Sequence, residues 1–192
     1  MKFIIEHLTD KLYEWCLIEY ENISKIVGKK NLIFANVKSP KEFKILNKFG
    51  IVYKESILKL KFNRICLLEP KSKKTLEPND ANKFDYFLFG GILGDFPEQG
   101  RTEKYLTSKL KNVETRNLLD KQMSTDTAVL VTNLILKGKK IKDIEFIDSP
   151  SFIMKKGLIQ EEVNLPYRYV SKNGKPIISK KLIKYLKNKK DL

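Results

Sequence analysis

The stretch Phe84-Asp85-Tyr86-Phe87-Leu88-Phe89-Gly90-Gly91-Ile92-Leu93-Gly94-Asp95-Phe96-Pro97 decides the fold class. Its apolar first half is typical of a buried central strand in a parallel sheet, and the glycines that follow predict a tight turn. In open α/β sheets, ligands bind at the carboxyl ends of such strands. Glycines there let the backbone come close to a bound molecule. The alternative is a plain buried strand that ends in a turn, because glycine often follows a strand.

The glycine turn does not match the common nucleotide-binding motifs. Gly90, Gly91 and Gly94 lack the G-x-G-x-x-G spacing of dinucleotide-binding folds, and no Gly-Lys-Ser/Thr follows as in a phosphate loop. Pro97 argues against a turn that opens directly into a helix holding a pyrophosphate. We therefore expect any ligand to be held mainly through neutral backbone amides and carbonyls.

The 192 residues have the composition of a soluble globular protein, with 42% hydrophobic and 32% charged residues. The apolar run before Glu6 is too short for a signal peptide, and no other run is long enough to span a bilayer. The composition therefore predicts a cytoplasmic protein without membrane contact.

Cysteine and histidine are scarce. Cys16 and Cys66 both lie in apolar patterns, which predicts two small buried side chains without a disulfide bond. The chain has one histidine, so the usual zinc ligand sets cannot be assembled and we expect no metal site.

The net charge of +15 predicts a negatively charged partner, most simply RNA or an RNA-rich particle. Residues 21–74 carry fourteen basic and four acidic side chains, and residues 172–190 carry eight lysines and no acid. The alternative is a solvated basic face in a lysine-rich protein. The charge therefore makes RNA contact through these lysine-rich segments a hypothesis.

The hydrophobic pattern alternates between strand-like and helix-like segments, which predicts an α/β fold with a mostly parallel sheet flanked by helices. The polar residues 70–82 are the best candidate for a boundary within the chain. Residues 150–176 give no clear pattern apart from a hairpin turn at Asn173-Gly174. The predicted strands cover residues 2–6, 31–37, 51–53, 64–68, 84–89, 113–119 and 144–148. The predicted helices cover 10–27, 40–49, 102–110 and 179–190, with one more running from Ser124 or Thr125 to Gly138.

Several segments, in order over nearly the whole chain, match one known family. They are Ile4-Ile5-Glu6-His7, Glu14-Trp15, Glu19-Tyr20, Arg64 to Pro70, Lys83 to Asp95, Asp120 to Ala128 and Pro166 to Val170. Through them the chain resembles the SPOUT-class methyltransferase family, which includes a yeast protein arginine methyltransferase that acts on a small-subunit ribosomal protein. The family pattern has Gly before Asp at the second loop, where this chain has Leu119, so the geometry of that turn is left open.

The resemblance implies one domain over 1–192, S-adenosylmethionine as methyl donor and a C-terminal trefoil knot. Residues 83–150 would form the knotted cofactor-binding part, and 172–192 a basic C-terminal helix. Such a knot is a rare exception to the rules of chain connection. Backbone groups, threonine hydroxyls and apolar side chains suit adenine and ribose. The residues implied to bind the cofactor are Gly90, Gly91, Gly94, Leu118, Leu119, Asp120, Met123, Thr125 and Thr127.

Methyl transfer to arginine requires carboxylates, because a cationic guanidinium is a poor nucleophile and must be oriented and relieved of a proton. Asp95, at the rim of the first loop, is the first candidate for this role. Asp126 and Glu6 are further candidates, although Glu6 also fits a surface or capping position. Asp120 suits a brace for the cofactor loop better than a contact to the acceptor.

The sequence thus predicts a methyltransferase that uses S-adenosylmethionine to modify an arginine of a ribosomal or other RNA-associated protein. One alternative is the same chemistry on ribosomal or transfer RNA. Another is a non-catalytic basic RNA-binding module. The sequence leaves the oligomeric state and the modified position open.

Overall fold

A six-stranded sheet forms the centre of the molecule in the computed structural model, which describes residues 1–91, 100, 102–111, 113–156 and 159–188. The strands are β1 (Lys2–His7), β2 (Leu32–Ala35), β3 (Ile51–Val52), β4 (Ile65–Leu68), β5 (Tyr86–Gly91) and β6 (Glu114–Arg116). Their order in the sheet is β3-β2-β1-β5-β4-β6, and every pairing between neighbours is parallel. The predicted parallel sheet is confirmed.

The central strands are apolar on both faces because both faces are covered, as is usual for parallel sheets. Phe3 and Phe87 lie in the core on one face of the sheet. Ile4 and Leu88, one residue further along each strand, lie in a separate core on the other face. This explains why the strand segments read as continuous apolar runs.

The first face is covered mainly by α1 (Glu14–Val27) and, later in the chain, by a helix at Thr125–Leu136. Helix α1 begins four residues later than the predicted Asp10. The backbone N–H of Leu12 donates to Glu42 Oε1 at 2.7 Å, and the Tyr13 hydroxyl donates to Asp10 Oδ1 at 3.0 Å. These bonds hold the chain before the helix in a non-helical path.

The helix at Thr125–Leu136 is α4, and Gly138 follows its end with φ of 102°, as predicted.

The remaining helices are short. They are α2 (Pro40–Leu46), α3 (Asp80–Lys83) and α5 (Lys180–Asn188). The predicted helix over 102–110 is a single π-helical turn at Glu103–Thr107 within the described residues.

The polar residues 70–82 are not a boundary between separate parts, because the strands on either side of them, β4 and β5, pair in the central sheet. Asp80 in this segment forms a two-point ion pair with Arg116 of β6, with N–O distances of 2.8 and 3.0 Å. The side chains of Arg116 and Asp80 are 7% and 9% exposed. The Arg116 guanidinium also lies 5.2 Å from the centre of the Phe84 ring.

Antiparallel strands form the C-terminal region, where the hydrophobic pattern is unclear. These strands are β7 (Phe146–Asp148), β8 (Ser151–Lys156), β9 (Ile159–Asn164), β10 (Arg168–Lys172) and β11 (Lys175–Pro176). A three-stranded sheet has the order β11-β10-β7, and β8 pairs separately with β9. The predicted turn at Asn173-Gly174 is confirmed, with φ of 53° and 70°.

The basic C-terminal helix is shorter than the predicted 172–192. Within the described residues it covers Lys180–Asn188, because Lys172 and Lys175 belong to the antiparallel sheet. Its buried residues Leu182 and Leu186 pack in a second core with Ile18 of α1 and with Tyr169. This core attaches the C-terminal region to the outer side of α1.

Cys16 and Cys66 are buried and free, and burial raises the pKa of each thiol to about 12. Over the ranges that the structure describes, no cluster of three or more metal-ligating side chains occurs. None of the helices in those same ranges is both long and apolar enough to cross a bilayer.

Candidate functional site

The carboxyl ends of β1, β5, β4 and β6 lie at one edge of the sheet, because all four strands are parallel. Glu6 is paired with Gly90 and His7 with Gly91 across β1 and β5. The strands β5 and β6, from which the two predicted cofactor loops start, are separated only by β4. With a strand spacing of about 4.8 Å, these two starting points are roughly 10 Å apart.

Gly91 lies at a point of very close packing. A Cβ at this position would overlap the Tyr20 hydroxyl and Ile5 Cγ2, and would lie 2.9 Å from the Glu6 carbonyl. Glycine is therefore required here by the space that its neighbours occupy. The predicted site residues Gly94 and Asp95 lie outside the described residues.

The second predicted loop begins with Leu118, which is buried, and Leu119, which is 37% exposed. Leu119 has φ of 73°, a left-handed conformation that favours glycine. Its backbone N–H donates to Asn117 Oδ1 at 3.1 Å. The turn therefore has a geometry suited to glycine even though this chain carries leucine.

Strand β10 holds the middle of this loop. The Arg168 backbone N–H donates to the Gln122 carbonyl at 2.8 Å, beside a strand-like pairing of Met123 with Arg168. The Arg168 guanidinium binds Asp148 at 2.6 and 3.0 Å and lies 3.8 Å from Asp120. The Asp120 side chain is 81% exposed, and its bracing role stays a prediction.

The start of α4 is a buried polar cluster. The helix starts where predicted, with Ser124 at the N-cap position, but the Ser124 hydroxyl does not accept from a helix amide. Its Oγ instead lies 2.7 Å from Asp126 Oδ1 and 2.8 Å from Thr127 Oγ1. Asp126 also accepts from its neighbour's backbone, Thr127 N–H, at 2.9 Å, and from Asn22 Nδ2 of α1 at 2.8 Å. Asp126 therefore joins α1 to α4.

Glu19 of α1 is a second buried carboxylate beside Asp126, and the sequence did not reveal it as a site residue. Trp15 Nε1 donates to Glu19 Oε1 at 2.7 Å, and Glu19 is 6% exposed. The pKa of Glu19 is raised to about 8 by burial, then by the negative charge of Asp126, while contacts with Trp15 and Thr125 oppose the shift. Burial also raises the pKa of Asp126. Strongly shifted carboxyl groups are typical of functional sites.

Glu6 is the third predicted carboxylate, and it is almost fully buried, with 1% exposure. It accepts a 3.0 Å hydrogen bond from the Ile57 backbone N–H. Burial raises its pKa, while hydrogen bonds from Ser56 and Ile57 oppose the shift. These contacts fasten the segment around Ile57 to the sheet edge and favour a bracing position for Glu6.

Gly90 and Gly91 end β5, and the loop from Leu118 to Thr127 follows β6, so both start from the same edge of the sheet. Met123 and Leu118 belong to the same hydrophobic core as Phe89 of β5. Backbone groups, apolar side chains and the partly exposed Thr125 are available there, which suits a nucleoside. The Thr127 hydroxyl, by contrast, faces Ser124.

Comparison with known proteins agrees with this arrangement. A family model described as "Protein arginine N-methyltransferase SFM1-like" matches residues 2–192. The protein arginine N-methyltransferase SFM1 of Saccharomyces cerevisiae is 41% identical over 204 residues, covering 97% of this chain and 94% of the yeast protein.

Solved structures give the same result. The yeast arginine methyltransferase SFM1 complexed with SAH superimposes with a TM-score of 0.85 and 39% identity, covering 96% of this chain and 94% of that chain. Trm10 of Thermococcus kodakaraensis has a TM-score of 0.55 at 16% identity, covering 74% of this chain and 96% of that chain, which shows a shared fold. The resemblance inferred from the sequence is confirmed, and the chain belongs to the SFM1-like protein arginine N-methyltransferase family.

Proposed function

We propose that this protein transfers a methyl group from S-adenosylmethionine to an arginine of a ribosomal or other RNA-associated protein. The observation that carries the proposal is the whole-length match to yeast SFM1, named as a protein arginine N-methyltransferase. Solved structures of yeast SFM1 are described as complexes with SAM, SAH and MTA. A cytoplasmic location, a single domain over 1–192 and a trefoil knot within 83–150 are parts of the same proposal.

The cofactor is proposed to lie at the sheet edge between the two loops. Gly90, Gly91 and Gly94 would offer backbone groups on one side, and Leu118 to Thr127 the other. The fit is supported by Leu119, which has a left-handed backbone and offers a side chain that is 37% exposed beside the buried Leu118. When bound, S-adenosylmethionine supplies an electrophilic methyl group.

The protein's own contribution is to align the acceptor and to take up its proton. A guanidinium loses one proton as its nitrogen gains a methyl, so a carboxylate must lie within hydrogen-bond reach. Asp95 is the first candidate for the carboxylate that takes up this proton. Asp126 is a further candidate. Its carboxyl group is held in one orientation by contacts to Asn22, Ser124 and Thr127. Glu6 stays a weaker candidate, since it is tied to Ile57.

Glu19 joins these candidates because of its environment. It is a buried carboxyl group beside Trp15 and Thr125, and its raised pKa leaves it able to accept or release a proton near neutral pH. Asp126 and Glu19 together form a pair of carboxyl groups at the start of α4. A cationic guanidinium that reached this pair would favour ionisation of both.

Contact with RNA is a second part of the proposal, supported by the surface of α5. Leu182 and Leu186 are buried against the second core, while Lys180, Lys184 and Lys187 are exposed. An exposed row of lysines attracts phosphates in a manner that weakens as salt rises. This surface would suit a substrate that is presented next to RNA.

Two measurements test the proposal. Isothermal titration calorimetry with SAH tests the cofactor, and wild-type protein that shows no heat of binding would contradict the methyltransferase assignment. Incubation with ribosomes and methyl-labelled S-adenosylmethionine, followed by separation of protein from RNA, tests the acceptor. We expect label in protein that yields methylarginine on acid hydrolysis. Label confined to RNA would instead support the RNA methyltransferase alternative.

The catalytic carboxylate is tested by Asp95→Asn, with Asp85→Asn as the matched control. Asp85 is 55% exposed and directly precedes β5, at the end of the strand opposite to the predicted loop. We expect Asp95→Asn to lower turnover by roughly 100-fold or more at saturating cofactor, the size of a lost acid-base contribution. Equal turnover of the two variants would exclude Asp95 from this role.

A further inference from the structure

The carbonyl of Gly91, the last described residue before the first predicted cofactor loop, is contacted by donors from two other segments. The Leu8 backbone N–H donates to it at 3.1 Å, and the Tyr20 hydroxyl lies 3.4 Å away. Leu8 follows β1, and Tyr20 belongs to α1. The point where the chain leaves β5 is therefore contacted by the segment after β1 and by the first helix.

Packing fixes Tyr20 in this position. The residue is 1% exposed, and its ring centre lies 5.1 Å from that of Phe34. Its hydroxyl occupies the space that a side chain on residue 91 would need. Because 3.4 Å is long for a hydroxyl donor, the hydroxyl holds Gly91 through close contact as well as through the hydrogen bond, and removing it removes both.

His7 supports the Tyr20 hydroxyl from the other side. His7 is 3% exposed, and its Nδ1 lies 3.1 Å from Tyr20 Oη. Its Nε2 lies 3.4 Å from Thr9 Oγ1 and 3.9 Å from Glu42 Oε2. Burial lowers the pKa of His7, which favours a neutral ring, while the charges of Glu42 and Asp10 oppose this shift.

The direction of the hydrogen bonds follows from the chemistry of the groups. A carbonyl can only accept, so the Tyr20 hydroxyl donates to Gly91. The oxygen of Tyr20 then accepts from His7, which requires the proton of the neutral imidazole to reside on Nδ1. His7 therefore donates to Tyr20, and Tyr20 donates to the carbonyl of Gly91, the last described residue before the loop.

We propose that Tyr20, braced by His7, is a positioning residue for cofactor binding: it fixes the direction in which the chain leaves β5 and enters the first cofactor loop. This inference rests on the proposed function. It assigns to the first helix a role in the cofactor site, although Tyr20 itself need not contact the cofactor.

The first test is the variant Tyr20→Phe, which keeps the ring against Phe34 and removes only the hydroxyl. We expect the SAH dissociation constant and the KM for S-adenosylmethionine to rise roughly 3- to 10-fold, the size of one lost hydrogen bond. The turnover number at saturating cofactor should change less than twofold. Tyr13→Phe is the matched control, since that hydroxyl contacts Asp10 at the surface and not Gly91.

A second pair of variants separates positioning from general stability. His7→Asn places an amide donor near the position of Nδ1, whereas His7→Leu removes the donor. We expect His7→Asn to bind SAH within about twofold of wild type, and His7→Leu to match the loss in Tyr20→Phe, the size of one hydrogen bond. Equal binding by folded Tyr20→Phe, His7→Leu and wild-type protein would overturn the inference.

A ¹⁵N NMR measurement on the wild-type protein needs no cofactor and does not depend on the folding of any variant. His7 is the single histidine of the chain, so its ring ¹⁵N signals in untagged wild-type protein need no assignment. We expect the signals of the Nδ1–H tautomer. Observation of the Nε2–H tautomer would overturn the inferred donor order and with it the inference. If wild-type protein fails to bind SAH, the proposed function fails, whereas normal binding by wild type and by Tyr20→Phe contradicts this inference alone.

Discussion

The backbone N–H of Arg168 donates a 2.8 Å hydrogen bond to the carbonyl of Gln122. Arg168 thus fastens the second predicted cofactor loop to β10, and its side chain extends the attachment by binding Asp148 and by packing 5.1 Å from the Phe146 ring centre. The C-terminal antiparallel sheet is therefore part of the support of the sheet edge that carries the site.

Replacing Arg168 by alanine should loosen this loop with little effect on overall stability. Asp148 is 47% exposed, so the lost ion pair is worth about 1 kcal/mol or less. We expect a small fall in the denaturation midpoint and a several-fold weaker binding of SAH, which is roughly 1 kcal/mol. Calorimetric titration measures the second effect. Lys172→Ala, which removes an exposed side chain from the same strand, is the control and should bind nearly as wild type.

Leu119→Gly should be more stable than Leu119→Ala, because both variants lose the same partly buried side chain. Alanine at φ of 73° keeps about 1–2 kcal/mol of backbone strain, which exceeds the roughly 0.5–1 kcal/mol entropy cost of glycine. We expect a difference of up to about 1 kcal/mol in the free energy of unfolding, read from urea denaturation. A glycine variant that is less stable than the alanine variant would contradict the strain argument.

Removing Arg116 should be strongly destabilising because Asp80 would then be a buried and unpaired charge. We expect Arg116→Leu to lower the free energy of unfolding by about 3–5 kcal/mol. The double variant Arg116→Leu with Asp80→Asn removes both charges and should recover a large part of that loss. Urea denaturation of the four proteins gives the coupling between the two sites. Simple addition of the two single effects would mean that the pair does not act as a unit.

Stability should fall as pH rises from about 4.5 to 8, through the contribution of Glu19. Its pKa in the folded protein is raised to about 8, so folding takes up a proton in this window. Each pH unit therefore costs up to about 1.4 kcal/mol from this group, and the loss is complete above the folded pKa. Glu19→Gln keeps an acceptor for Trp15 without a titrating group. Thermal unfolding between pH 5 and 9 should show a flatter profile for this variant, and parallel profiles would contradict the assigned shift.

The central sheet was predicted well because the signal for each strand lies in a few consecutive residues. A strand buried on both faces, such as β5, must be apolar throughout, and the glycines after it mark its end. The start of α1 was misplaced because the bond from Leu12 to Glu42 joins residues thirty positions apart. The hairpin of β8 and β9 was missed because its residues combine lysines, glutamates and apolar side chains without a clear period.

The candidate site was predictable only in part. The loop residues were found through family resemblance, and the structure places Leu118, Met123 and Thr125 in one region. Glu19 was missed because a glutamate within an amphipathic helix looks like an ordinary solvent-facing residue. Its burial arises from packing of α1 on α4, beside Asp126, more than a hundred residues later in the chain.

The two free cysteines can report how fast separate parts of the molecule open. Cys16 lies in α1 and Cys66 in strand β4 of the six-stranded sheet, and burial raises the pKa of both thiols to about 12. A thiol reacts with an alkylating reagent as the thiolate, so neither is available until its surroundings open. The rate at which each is alkylated in native buffer would therefore time the separate opening of the first helix and of the sheet interior.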